Sequence, residues 1–65
     1  MKNYVIHNNG KPMTTFGHWG VESDEEMKSI VLGISAGLRL AGKKRVCLEV
    51  FRVEPSGNVL IRTQQ

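Results

Sequence analysis

One helix is written between Ser23 and Gly42, and the rest of the chain has to be arranged around it. Ser23-Asp24-Glu25-Glu26 forms a capping box: the Ser23 hydroxyl can accept from the third helical amide, and Glu26 can reach back to the Ser23 amide. Gly42 supplies the left-handed stop, so the spacing predicts a helix from Asp24 to about Ala41. Acidic residues at its start and basic ones at its end (Arg39, then Lys43 and Lys44) both suit the helix dipole.

This helix is apolar on two sides. Met27, Ile30, Ile34, Leu38 and Ala41, with Val31 at the margin, fall on one stripe that is expected to cover a sheet. On the opposite side, where charge is expected, stand Leu32, Ala36 and Leu40, and Ser29, Gly33 and Gly37 run between the stripes. Each mid-helix glycine costs about 1 kcal/mol relative to alanine. A compensating close approach by another backbone is therefore expected at Gly33 and Gly37, from the chain's own sheet or from a second helix.

Strands are expected on either side. Asn3–His7 reads as the first, and Asn9-Gly10 as a two-residue hairpin turn. That turn pairs Asn8 with Lys11, Ile6 with Met13 and Tyr4 with Thr15, giving a second strand from Lys11 to Phe16. Pro12 lacks the amide a ladder needs, which puts that strand at a sheet edge or limits its pairing. Phe16-Gly17-His18-Trp19-Gly20 reads as a loop. Beyond the helix, Arg45–Val53 reads as a long strand, Glu54–Asn58 as a turn, and Val59–Thr63 as the returning strand, with Gln64-Gln65 a frayed tail. The expected fold is α+β: a single domain over residues 1–65, ordered β-β-α-β-β, with one helix packed across one face of a small antiparallel sheet.

Length then sets a stability problem. A chain of 65 residues hides only about 60% of the surface it exposes unfolded, and single cores below about 70 residues rarely supply more than ~3–5 kcal/mol. One cysteine cannot form an internal disulfide. His7, His18 and Cys47 lack the paired spacing of a zinc site, so no metal is expected. Self-association remains. A homodimer is the expected partner state, with its seam on Leu32, Gly33, Ala36, Gly37 and Leu40, or on the sheet face carrying Cys47, Phe51 and Val53. No apolar run approaches a membrane span, and Met1–His7 carries no leader core. With one unpaired cysteine, a cytoplasmic location is expected and no membrane partner.

Function is narrowed more than it is named. The carboxylates at 22–26 are accounted for by helix capping. Cys47 sits mid-strand, where a small buried hydrophobe is expected rather than a thiolate nucleophile. Gly17 and Gly20 have neither the Lys-Ser/Thr of a P-loop nor a dinucleotide fingerprint. The chain is therefore read as no enzyme and as needing no cofactor; any activity would fall to Cys47 or His18. The expected function is a small binding protein, a homodimeric accessory or regulatory factor that modulates a larger protein, with Phe16, His18 and Trp19 as the partner contact. The alternative is a backbone-directed nucleic-acid binder using Arg39, Lys43, Lys44 and Arg45, in keeping with nine Lys+Arg against six Asp+Glu. Arg52 and Arg62 would extend that run.

Overall fold

The computed structural model describes all 65 residues. Two central strands, β1 (Lys2–Asn8) and β4 (Leu48–Glu54), pair antiparallel with Ile6 opposite Val50. β5 (Gly57–Gln64) flanks β4. The other edge of β1 is shared by β2 (Lys11–Pro12) near the hairpin turn and β3 (His18–Val21) at the far end. The helix α1 (Asp24–Leu40) lies across one face. The order is thus β-β-β-α-β-β, the expected α+β fold with one strand more. No helix is long and apolar enough to cross a membrane.

Alternation along the two central strands builds the core. Tyr4 and Ile6 from β1, and Leu48 and Val50 from β4, point at α1 and meet Met27 and Val31, with Val46 closing one end. Side chains of opposite parity, among them Val5, His7, Phe51 and Val53, lie on the uncovered face, where the His7 and Phe51 rings stand 5.1 Å apart.

The second strand departs from expectation. Asn8 does oppose Lys11, and the Met13 amide still donates to the Ile6 carbonyl at 3.1 Å, but the ladder ends at Pro12. The chain then leaves the sheet and returns at Gly17, whose carbonyl accepts from the Ile6 amide at 2.9 Å. Ile6 therefore holds both sides of the neck of a short outward loop. Gly17 is obligatory there: a Cβ would sit 2.1 Å from the Met13 carbonyl oxygen. Because of this detour Tyr4 faces Trp19, not Thr15, and His18–Gly20 belongs to a strand instead of a loop.

Other boundaries shift for identifiable reasons. β4 starts at Leu48 because Asn8 and Asn9 take up the groups ahead of it. The Cys47 amide donates to Asn8 Oδ1 at 3.2 Å, the Asn9 amide to the Cys47 carbonyl at 2.9 Å, and Asn9 Nδ2 to the Arg45 carbonyl at 3.1 Å. Residues 45–47 are thus tied to the hairpin tip rather than laddered. At the other end the tail is not frayed: Gln64 pairs with Leu48, and the Gln65 carbonyl accepts from the Ser35 hydroxyl at 3.2 Å.

The helix ends largely as its sequence dictates. The Ser23 hydroxyl accepts from the Glu26 amide at 3.3 Å, while the Glu26 carboxylate reaches the Glu22 amide at 3.2 Å instead of that of Ser23. At the C-terminus the Gly42 amide donates to the Arg39 carbonyl and the Lys43 amide to that of Leu38, a Schellman closure with Gly42 at φ 87°. The helix is, however, rolled about its axis. Its buried line is Met27, Val31 and Ser35, Ala41 is exposed, and Ile30, Ile34 and Leu38 are only partly covered. Burial of Ser35 is possible because its hydroxyl has the Gln65 carbonyl as a partner.

Asp24 joins the helix to the sheet. Its carboxylate accepts from the Tyr4 hydroxyl and from Arg52 Nη1, both at 2.5 Å, and Arg52 Nε donates to Glu54 at 2.6 Å. The Tyr4 hydrogen bond and the Arg52 charge hold the Asp24 carboxyl below the usual carboxylate range. Burial, reinforced by the neighbouring Asp24, pushes the Tyr4 phenol up to about 12.

Candidate docking groove

Rolling the helix leaves an apolar flank half open, and the Met13–Gly17 loop rises beside it. Between them runs a groove of about 520 Å³, lined by Met13, Phe16, Trp19, Ile30, Ile34 and Leu38, with Gly33 and Gly37 flattening the helix side. A Cβ built on either glycine meets nothing within 4 Å. The chain's own sheet therefore gives no reason for these two glycines, since alanine would fit at both positions and favour the helix.

The opposite wall is held in a costly conformation. Phe16 adopts φ 59°, a left-handed backbone that a bulky side chain enters at about 1–2 kcal/mol. In return its carbonyl accepts from Trp19 Nε1 at 2.7 Å, and its ring stacks on Trp19 at 6.4 Å between centroids and 21° between planes. Phe16 is nonetheless 64% exposed. A strained, solvent-facing aromatic at the lip of an apolar groove is suited to contact and does little for the core.

The residues singled out from the sequence regroup. Phe16 and Trp19 share one groove with Gly33 and Gly37, so two sets expected to act separately form one surface. His18 does not join them: it pairs opposite Val5 on the uncovered sheet face. Leu40 is 90% exposed and Leu32 48%, with Ala36 exposed between them. The sequence pattern puts Met13 in a strand and Ile30, Ile34 and Leu38 in the core, and the roll of the helix that half-opens these three has no mark in the apolar periodicity.

Arg39, Lys43, Lys44 and Arg45 all lie exposed around the C-terminal end of α1. The fold adds Lys11, which with Asn8, Thr14, Thr15 and Lys43 lines a polar hollow of about 470 Å³. None of these five cations is ion-paired, because the intrachain salt bridges (Lys28–Glu25, Arg52–Asp24 and Arg52–Glu54) all involve other residues.

Cys47 is half-buried beside Asn8, while His18 faces Val5, three register positions along β1. That is roughly 10 Å along the strand, with β1 itself between the two, too far for a thiol and an imidazole to act together. No three of the His, Cys, Asp and Glu side chains gather as metal donors. Comparison with protein-family profiles, characterised proteins and solved structures finds no match.

Proposed function

We propose that this chain is a small non-enzymatic binding protein, an accessory or regulatory factor of the cytoplasm that works by docking an apolar helical segment of a protein into the groove between α1 and the Phe16–Trp19 wall. The groove itself carries this reading. It is concave and apolar, it is edged by a strained exposed aromatic, and it is floored by two glycines that the fold does not require. Amphipathic helices seat in grooves of this kind through residues spaced three and four apart.

Trp19 is the sole tryptophan, so its emission reports occupancy directly. Titration with a synthetic amphipathic Leu/Lys helical peptide is expected to shift that emission to the blue. Phe16→Gly relieves the positive φ and keeps the backbone carbonyl that Trp19 uses. It is expected to hold or raise the melting temperature while weakening the peptide several-fold. Equal affinity in the variant would remove the groove from consideration.

A second reading, backbone-directed nucleic-acid binding, is favoured by the five unpaired cations at the C-terminal end of α1. Anisotropy of a labelled oligonucleotide over a salt series is then expected to show log K falling by about 0.7–0.9 per log unit of salt for each phosphate neutralised. No binding at low salt would end that reading.

A further inference from the structure

We infer that the helical segment the groove takes is α1 of a second copy, packed antiparallel across a two-fold axis that passes between Gly33 and Gly37; this rests on the reading of the groove as a docking site.

Three observations converge on a second copy. The first is the arc. At about 100° per residue, Glu26, Ile30, Gly33, Gly37 and Leu40 fall within about 80° of the helix circumference, on the side that borders the groove. The second is the open floor: nothing in the chain approaches either glycine, and Leu40, next along that arc, is 90% exposed. Two helices meeting at such a floor can bring their backbones close, as small residues allow wherever helices pack. The third is charge. All three carboxylates of α1 stand in its first turn, and Arg39, Lys43, Lys44 and Arg45 cluster at and just beyond its last. Neither Glu26 nor any of these cations has an ion-pair partner within the chain.

An antiparallel two-fold pairing satisfies all three together. With Gly33 of one copy over Gly37 of the other, Ile30 meets the second copy's Leu40 along the helical register. Glu26 then overhangs the C-terminal end of the second copy's α1, where the chain turns at Gly42 and Lys43 and Lys44 follow. A two-fold axis repeats each contact, so both ends of the seam bring an acid to a basic cluster and the middle is apolar. A parallel pairing would set like charges together at both ends. A standard interface takes about 800 Å² from each partner, roughly a fifth of the 4378 Å² that the chain exposes. Client and second copy then compete for one groove, so self-pairing covers the surface until a stronger helix displaces it.

The test is sedimentation equilibrium of the full chain at micromolar concentration, with folding followed by circular dichroism. Wild type is expected to be a dimer. Glu26→Lys and Lys44→Glu each place two like-charge contacts in the seam and are expected to weaken association ten-fold or more, whereas the double variant restores it. Lys44 is exposed and makes no ion pair, so its variant separates the seam from any capping loss at Glu26. Gly37→Leu, built into open space, keeps the fold and splits the dimer. Leu32→Glu, about 120° round the helix from the centre of the arc, leaves the dimer intact. Two results overturn the inference: a dimer indifferent to the charge swaps, or a wild-type monomer whose Trp19 still responds to the Leu/Lys peptide. The second leaves the groove reading standing, and a monomer with no peptide response removes both.

Discussion

Leu48→Ala is expected to leave much of this protein unfolded at 25 °C. Leu48 is fully buried, in one core cluster with Ile6, Val50, Met27 and Val31. Truncating a buried leucine costs about 2–5 kcal/mol, from lost transfer energy and from the cavity left behind. Single cores in chains below about 70 residues rarely supply more than ~3–5 kcal/mol in total, so the substitution removes most of what is available. Urea unfolding followed by circular dichroism measures it. Leu60→Ala, at a half-exposed position on β5, serves as the control and is expected to cost less than ~1 kcal/mol. Equal losses at both sites would mean that the core is not where the structure puts it.

Asp24→Ala is expected to cost about 2–3 kcal/mol, because it strips the acceptor from a Tyr4 hydroxyl in a side chain only 1% exposed. Arg52 would keep Glu54 as a partner, and it stands partly in solvent, so the larger penalty of a fully buried ion pair does not apply. The same cluster sets the pH profile. The Asp24 carboxyl titrates lower in the folded chain than in the unfolded one, so its stabilisation is complete above the unfolded value near 4 and drains away as pH falls through the folded value. Tyr4 behaves in the opposite sense. Its phenol is held up to about 12, so its contribution is complete below about 10 and is lost as pH rises toward 12. A series of urea midpoints from pH 2 to 12 checks both. Asp24→Asn should flatten the acid limb, Tyr4→Phe should flatten the alkaline one, and a profile unchanged by either would disconnect the cluster from stability.

The parts of the fold that were legible in the sequence are those governed by local chemistry. Ser23 and Gly42 mark the helix ends because a cap and a left-handed stop act on the nearest few amides. Asn9-Gly10 marks the hairpin because both residues accept positive φ, and both adopt it. What escaped depends on contacts distant in sequence. Pro12 signalled an edge strand or a curtailed pairing, and the ladder does stop there, but nothing near it announced that Ile6 would bond both Met13 and Gly17 and put a further strand beyond the loop. The roll of α1 escaped for the same kind of reason, since Ser35 is buried only through a carbonyl at position 65. Asp24 looked like a capping residue, and its tie to Tyr4 and Arg52 spans separations of 20 and 28 residues. For the groove, Phe16, Trp19, Gly33 and Gly37 each stand out in the sequence, but as parts of two separate contacts. Only the folded chain brings them to one surface.

The neck at Ile6 separates what the scaffold leaves free from what it holds. Met13 and Gly17 are pinned to the same β1 residue, so Thr14, Thr15 and Phe16 hang outside the sheet, and of the three Phe16 bonds back to it, through Trp19. Such a clasp lets Thr14 and Thr15 at the tip of the loop be exchanged while the scaffold below keeps its register.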